Sequence, residues 1–510
     1  MLKKRLPRLE TALIALFFLS IPVTNFPFFP PSIGGNSAFV KPLLVYPLLA
    51  LVLLITFPRL LTKPVPRPGV LLLVFFLWTL IASLIPFLRL AESPWREVSV
   101  LSREVRMLIT LGLGLAIFYT VALYPRKEKH LEHSLRWLYG GLGLVLFWGS
   151  LQMIYVLDLV PNWYETMSKA QQFITSRKLN PYRVTGMTYE PSSFADQIIT
   201  IWLPWVYAAL LTDYSIFSWR WKWLTVEKLL FGWTFAVLAS TLSRTGLIMG
   251  TGVLVFGLVL HVIRGRFSGT KETDTENPEE EPAAGQQENQ RAWKITGLIL
   301  LGLTVFLGMF FLFGSGSSYI SRMWEYWFTG SGTNLRSYLI YIGFGSRITY
   351  WQTAFRIFAR YPLFGVGLGN FTLYFPDLIP PQQLIKTPQV LRHLVPAAGR
   401  VRVITPKQFL ARILAETGLV GGAIFVVFLI TLAAGGLYLW LSDQEQEKFW
   451  GTGALLGLAG FAGATFSFDS FAIPNPWILF GMITGGFTVF LSNNSGRPSA
   501  AADAPGLSKE

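Results

Sequence analysis

A run of arginines between two apolar stretches is the part of the sequence best suited to chemistry. The segment 314–405 contains eight arginines and one lysine but only two acidic residues. The planar guanidinium of arginine matches the geometry of phosphate and diphosphate groups. The excess therefore predicts a chamber for an anionic ligand, with simple contact to lipid headgroups as the alternative. The basic residues are Arg322, Arg336, Arg347, Arg356, Arg360, Lys386, Arg392, Arg400 and Arg402, and the acidic residues are Glu325 and Asp377.

Two shorter elements supply further candidates. Arg244 lies in STLSRTG between two apolar stretches, where a charged side chain is a functional candidate unless it snorkels from a helix end. Arg183 and Glu190 lie shortly before another apolar stretch. Glu190 directly precedes Pro191, which can start a helix, so its carboxylate either interacts with the helix dipole or acts in catalysis.

The middle of the arginine-rich segment predicts an amphipathic helix. Apolar residues recur at Tyr350, Trp351, Ala354, Phe355 and Phe358 with the spacing of one helix face. We expect Arg347 in the first turn and the helix end at Tyr361 and Pro362. Gly365, Gly367 and Gly369 follow a proline and not a strand, which favours a tight turn over a dinucleotide-binding loop.

Missing residue types exclude several kinds of site. The chain has no cysteine, which rules out disulfides, a thiolate nucleophile and thiolate-bound metals. The sequence contains no Asp-x-Asp motif, no Walker A loop and no His-Glu-x-x-His motif. Of its four histidines, only His393 falls in the arginine-rich segment. We therefore expect no metal and no cofactor, and we disfavour an ATP-driven pump.

The composition indicates a polytopic membrane protein. Of the 510 residues, 52% are hydrophobic and only 14% are charged, whereas soluble domains carry about 25% charged residues. Uninterrupted apolar stretches predict an all-α fold with about twelve transmembrane helices and a large extracytoplasmic loop between the ninth and the tenth. The predicted spans lie near 11–29, 42–57, 69–88, 105–123, 135–157, 193–212, 228–242, 244–263, 293–313, 410–441, 450–468 and 474–492.

These spans divide the chain into six parts. The acidic segment 264–292 and the tail 493–510 are too polar to bury a core, so we predict disorder for both. The parts are 1–263 with helices 1 to 8 and an outer loop at 158–192, the linker 264–292, helix 9 at 293–313, the extracytoplasmic loop 314–405, helices 10 to 12 at 406–492, and the tail 493–510.

The distribution of basic residues predicts the orientation. Lys3, Lys4 and Arg5 precede the first apolar stretch, which we interpret as an uncleaved anchor with a cytoplasmic amino terminus. Alternating spans then place four further basic loops in the cytoplasm, with the carboxyl terminus also cytoplasmic. The net charge of +15 is explained by topology and does not indicate nucleic acid.

Together these motifs resemble the O-antigen ligase and O-antigen polymerase superfamily. The resemblance covers most of the chain and rests on short motifs in a fixed order and on their predicted side of the membrane. The motifs are Ser243-Arg244-Thr245-Gly246, Ser346-Arg347 through Pro362, Gly365-Val366-Gly367 and the run KQFLARILAETG from Lys407 to Gly418. The resemblance implies a metal-independent enzyme of the bacterial inner membrane with a periplasmic active site.

The resemblance also implies substrates and residue roles. The donor would be an undecaprenyl-diphosphate-linked glycan, and the acceptor would be the lipid A core of lipopolysaccharide or another lipid-linked unit. Arg244 and Arg347 match the arginines expected to hold the donor diphosphate, and Glu416 and Gly418 match the end of the last motif. Ligases begin that motif with His-Asn, whereas this chain has Lys407 and Gln408.

The departure at Lys407 and the Glu190-Pro191-Ser192 element favour a polymerase over a ligase. We expect an inverting displacement in which Arg244, Arg347 and either Arg183 or Arg402 neutralise the leaving diphosphate. Glu190, Lys407 or His393 would accept the acceptor proton, and Lys407 would need strong burial or neighbouring arginines to do so. A secondary transporter, for example of inorganic carbon, and a non-catalytic scaffold for envelope assembly are the alternatives.

Overall fold

A computed structural model describes residues 2–29, 40–90, 100–271, 334–381 and 404–495, together with a few single positions between 297 and 394. The described residues are mostly helical. The helices are α1 (Leu2–Ser20), α2 (Val45–Thr62), α3 (Arg67–Leu90), α4 (Val100–Leu123), α5 (Glu128–Val156), α6 (Trp163–Gln171), α7 (Pro191–Thr212), α8 (Val226–Ser240), α9 (Arg244–Lys271), α10 (Leu335–Tyr341), α11 (Gly345–Arg360), α12 (Phe371–Leu378), α13 (Phe409–Trp440), α14 (Glu445–Ala464) and α15 (Pro474–Ser495). A short antiparallel hairpin pairs β1 (Arg220–Trp221) with β2 (Leu224–Thr225).

Within the described residues, eight helices are long and apolar enough to cross a membrane. They are α2, α3, α4, α5, α7, α9, α13 and α15. Helices also cover part of each of the predicted stretches near 11–29, 228–242 and 450–468. The predicted ninth span at 293–313 and most of the loop 314–405 before residue 334 lie outside the described residues.

Three predicted boundaries differ from the structure. The first helix ends at Ser20 and not near residue 29, because Pro22 and Pro27 disfavour helical backbone at the residues before them. Helix α9 continues to Lys271, so the beginning of the segment predicted as a linker from 264 is helical. Helix α15 likewise runs to Ser495, past the predicted start of the tail at 493.

Helix α7 forms the centre of the helical bundle. It is buried along almost its whole length, as its nearly unbroken apolar sequence predicts. Trp202 donates a hydrogen bond to Leu138 O on α5 (3.1 Å), and Tyr207 donates one to Leu254 O on α9 (2.9 Å). A π-helical turn at Ile198–Trp202 interrupts the α-helical hydrogen-bond pattern of α7.

Helix α13 is broken at Gly418, whose φ of 67° is favourable only for glycine. The break exposes backbone groups, which must find partners where no water is present. The segment 362–367 supplies them: Leu419 N donates to Pro362 O (2.6 Å), Val366 N to Ala415 O (3.0 Å) and Gly367 N to Glu416 O (2.9 Å). On the opposite side of the break, Trp78 Nε1 donates to Thr417 O (2.9 Å).

The predicted amphipathic helix is confirmed as α11. Its buried face carries Tyr350, Ala354 and Ile357, which pack with α12 and the first turns of α13 in a second hydrophobic cluster. Phe355, which we predicted on the apolar face, is 53% exposed. The turn predicted at Gly365 is also found, and it brings this backbone close to α13, where an added Cβ would lie 2.6 Å from Glu416 C.

We expect Gly418→Ala to destabilise the protein. An added Cβ would overlap Leu363 O and lie 2.7 Å from Gly365 N, and the positive φ alone costs about 1–3 kcal/mol for a residue with a side chain. The measurement is the thermal unfolding midpoint of the purified protein in detergent. Gly252→Ala on α9 is the control, because its Cβ meets no described heavy atom within 4 Å. Equal unfolding midpoints for Gly418→Ala and Gly252→Ala would contradict the requirement for glycine at the break in α13.

Candidate functional site

The loop between α14 and α15 brings α7 and α11 together. We call residues 465–470 the connecting loop. Ser467 Oγ donates a hydrogen bond to the carboxylate of Asp196 on α7. Arg347, in the first turn of α11, donates through Nη1 to Phe466 O. These neighbouring loop residues therefore couple a buried carboxylate to a guanidinium.

The same loop also holds the start of α13. Phe409 N donates to Thr465 O (3.0 Å), and Lys407 N donates to Asp469 Oδ2 (2.6 Å). Arg412 Nη1 donates to Asp469 O (2.7 Å). The connecting loop is thus the meeting point of three elements that are distant in sequence.

Aromatic packing holds the connecting loop in place. The ring of Phe409 lies 5.7 Å from that of Phe468 and 5.1 Å from that of Phe471, measured between centroids. Trp477 Nε1 donates to Phe471 O (2.9 Å) where α15 begins. Burial of these rings gives a polar loop a rigid apolar base.

Asp196 is buried in α7 and is the central carboxylate of the site. Arg347 and Glu190 both interact electrostatically with it. A charged group in an apolar helix is costly unless it is paired or hydrogen-bonded, and the Ser467 hydroxyl satisfies part of this requirement. Asp196 is therefore a candidate functional residue.

Glu190 occupies the N-cap position of α7 and faces a more open environment. Its side chain is 39% exposed, accepts a hydrogen bond from Ser193 Oγ (3.4 Å) and lies 3.9 Å from Arg177 Nη1. An ion pair this long and this exposed contributes little to stability. Burial, together with the negative charge of Glu190, raises the pKa of Tyr189 well above its usual range, so that hydroxyl stays protonated. A partly exposed carboxylate thus interacts with a buried one.

Arg183 and Arg244 meet at the tight turn between α8 and α9. Arg183 Nε donates to Thr241 O (2.8 Å), and Val184 N donates to Ser240 O (3.2 Å). Arg244 is buried at the start of α9 and donates through Nη1 to Ile342 O (2.7 Å). Ile342 lies five residues before Arg347 in the chain. Contacts therefore link the predicted arginines Arg183, Arg244 and Arg347 to one region of the protein.

A buried ion pair supports the connecting loop from α13. Arg412 Nε lies 2.9 Å from Glu416 Oε2, and the two side chains are only 4% and 1% exposed. The guanidinium also lies 5.0 Å from the centroid of Phe471. Because both charges are removed from water, each depends on the other to remain buried.

Lys407 does not have the environment that we expected for a base. Its side chain is exposed, and its backbone is left-handed with φ of 58°. The contact with Asp469 is made by the backbone N–H and not by the ammonium group. The burial that a lysine base requires is not found, so Lys407 is better described as the residue that shapes the entry to α13. Arg402 and His393, the other predicted binding residues, lie outside the described residues.

Sequence reasoning missed Asp196, Asp469 and Arg412. The signal for Asp196 was an acidic residue inside an apolar stretch, which is itself an indication of function. Arg412 and Glu416 stand four residues apart in the run KQFLARILAETG, the spacing of a helical ion pair. The contact between Ser467 and Asp196 joins residues 271 positions apart and left no local signal.

The arrangement suits an anionic ligand and proton transfer. Guanidinium groups favour phosphate, and the carboxylates of Glu190 and Asp196 can accept protons. Among the residues that the structure describes, no group of three or more His, Asp or Glu side chains is placed to hold a metal ion. Comparison of the chain with models of known protein families and with curated proteins gives no match.

We expect Asp196→Asn to loosen the connecting loop. The amide keeps the size of the carboxyl group but leaves only one oxygen that can accept from Ser467, and loss of a hydrogen bond costs about 0.5–1.5 kcal/mol. Backbone amide exchange measured by mass spectrometry should increase in residues 465–470. Asp377→Asn, at an exposed position on α12, is the control and should leave that exchange unchanged. Equal amide protection of residues 465–470 in Asp196→Asn and Asp377→Asn would disprove that Asp196 holds the connecting loop.

We expect Arg412→Met alone to lower the stability of the protein more than the double change Arg412→Met with Glu416→Met. The single change leaves Glu416 as an unpaired buried charge, at a cost of about 3–5 kcal/mol, whereas the double change replaces the pair with apolar side chains. Thermal unfolding midpoints of the three proteins in detergent measure the difference. A double variant no more stable than the single one would argue against a mutually dependent pair.

Proposed function

We propose that the protein is a membrane glycosyltransferase that polymerises or transfers undecaprenyl-diphosphate-linked glycans. The observation that carries this proposal is the linkage of Arg244 and Arg347, which come from separate motifs. Arg244 binds Ile342 O in the turn that leads to α11, and Arg347 interacts electrostatically with Asp196. A diphosphate needs more than one cation, and this region supplies them next to carboxylates.

The proposed reaction is an inverting displacement at the anomeric carbon of the donor sugar. The bond from this carbon to the diphosphate oxygen breaks while a bond to the acceptor hydroxyl oxygen forms. The proton of that hydroxyl passes to Glu190, the more exposed carboxylate, and undecaprenyl diphosphate leaves with the bonding electrons. Arg244 and Arg347, with Arg183 nearby, stabilise the charge that develops on the diphosphate. The reaction requires no metal.

The proposed setting is the bacterial inner membrane. We propose about twelve spans, cytoplasmic termini and a site on the periplasmic side, as the distribution of basic residues favours. The eight helices that can cross a membrane support the membrane environment. The site lies where three of them begin, at the starts of α7, α9 and α13.

We favour polymerisation over ligation to lipid A core. Lys407 stands where the resembling ligases have histidine, and its exposed side chain offers no equivalent base. Glu190 at the start of α7 provides a proton acceptor from another element. A further lipid-linked glycan is therefore the preferred acceptor, with lipid A core as the alternative.

One observation favours a secondary transporter as the second candidate. Transporters bind their substrates at broken helices near the middle of the membrane. Helix α13 is broken at Gly418, and the buried pair Arg412 and Glu416 lies just before the break. Against transport, segment 362–367 already occupies the backbone groups freed by the break.

We expect Arg244→Ala and Arg347→Ala to abolish glycan extension, because each removes a positive charge from the leaving diphosphate. The measurement is the length distribution of surface and lipid-linked glycans in cells lacking the protein, complemented with each variant. Single repeat units alone would identify a polymerase, and long chains retained on undecaprenyl diphosphate would identify a ligase.

Arg67→Ala is the matched control, because Arg67 is exposed at the start of α3 and is predicted on the cytoplasmic side. All variants must insert to equal levels in the membrane. Wild-type glycan lengths in both Arg244→Ala and Arg347→Ala would refute the proposal. Substrate accumulation by proteoliposomes of the purified protein would support the transporter instead.

A further inference from the structure

An exposed hairpin rich in tryptophan lies away from the candidate site. We call residues 219–225 the tryptophan hairpin. Trp219, Trp221 and Trp223 are 49%, 64% and 61% exposed, although tryptophan is usually well buried. Arg220 and Lys222 alternate with them and are also exposed. The surface is therefore both aromatic and basic.

The hairpin is held rigidly on the fold. Asp213 binds Lys228 Nζ (2.8 Å) and Arg220 Nη2 (3.4 Å), and Lys228 Nζ also donates to Trp223 O (3.0 Å). The buried carboxylate of Glu227 accepts a hydrogen bond from Ile216 N (3.0 Å). These contacts fix the backbone while the indole rings stay outside, so their exposure is not the result of a loose loop.

The position of the hairpin in the chain indicates what covers it. Helix α7, one of the helices able to cross a membrane, ends at Thr212, and the hairpin follows within a few residues. The rings therefore lie near the level at which the apolar part of the bundle ends. Indole rings prefer this boundary, because the ring is apolar and its N–H can bind headgroup oxygens.

The net charge of the hairpin surface indicates which lipid headgroups it attracts. Asp213 is already engaged by Arg220 and Lys228, and the carboxylate of Glu227 is turned into the protein, so the outer surface keeps a positive balance. The acidic side chains Glu128 and Glu132 of helix α5 interact electrostatically with Tyr214, which precedes the hairpin. A cationic surface attracts the phosphate of an anionic lipid.

We propose that the tryptophan hairpin inserts into the headgroup layer of the membrane and binds the phosphate of anionic phospholipids. This inference does not depend on the glycosyltransferase proposal. Trp221 on β1 and Trp219, which directly precedes this strand, would enter the interface. Arg220 and Lys222 would contact the phosphates.

The absence of cysteine in the sequence permits a direct test. Trp221→Cys carries a single spin label in the full-length protein, reconstituted in nanodiscs of neutral or partly anionic phospholipid. Leu53→Cys, on an exposed position of α2, marks the bilayer interior, and Lys178→Cys, in a loop, marks water. We expect oxygen and a water-soluble nickel complex to reach the label at 221 to intermediate degrees.

Comparing neutral with anionic lipid tests membrane insertion and phosphate binding separately. We expect anionic lipid to make the label at 221 severalfold less accessible to the nickel complex, and Arg220→Gln with Lys222→Gln to remove this difference. A label as accessible as that at 178 in both lipids would overturn insertion. Insertion without any effect of lipid charge would overturn phosphate binding. Protection in native membranes but not in nanodiscs would overturn the lipid proposal in favour of a protein partner.

Discussion

The need to satisfy buried polar groups from within the protein governs the whole region around the connecting loop. Asp196, Arg347 and Arg412 belong to three different helices, and each binds the same short loop between α14 and α15. In an apolar bundle such groups cannot rely on water, so each must meet a protein partner. The loop meets this requirement for several helices at once, and the geometry of the candidate site depends on it.

The break in α13 obeys the same constraint. Gly418 interrupts the helix, and the freed groups bind the segment that follows α11. This joins the amphipathic helix, with Arg347 at its start, to the buried ion pair of α13.

Much of the helical architecture followed from the sequence, because long apolar runs and the periodicity of α11 are local signals. Arg244 and Arg347 were predicted as charged residues beside apolar stretches, and the contacts link them to one region. Asp196 was overlooked although it is an acidic residue in an apolar stretch, and its contact with Ser467 could not be predicted because the two residues are far apart in the chain. The exposure of Lys407 was also missed, since a short motif does not reveal which way a side chain points. The predicted roles of Arg402 and His393 concern positions that the structure does not describe.

The π-helical turn in α7 has a consequence for how this sequence tolerates insertions and deletions. Such a turn corresponds to one extra residue in an α-helix. It lies between Asp196 and the tightly packed carboxyl-terminal half of the helix, where Trp202 and Trp205 are fully buried. Loss of one residue within the turn would restore regular α-helix with little rotation of Asp196, whereas loss of one residue from the α-helical part that follows would rotate Asp196 by about 100° relative to the end of the helix, away from Ser467. The α-helical part of α7 is therefore constrained in length, while the π-helical turn is the place where the helix can lose one residue.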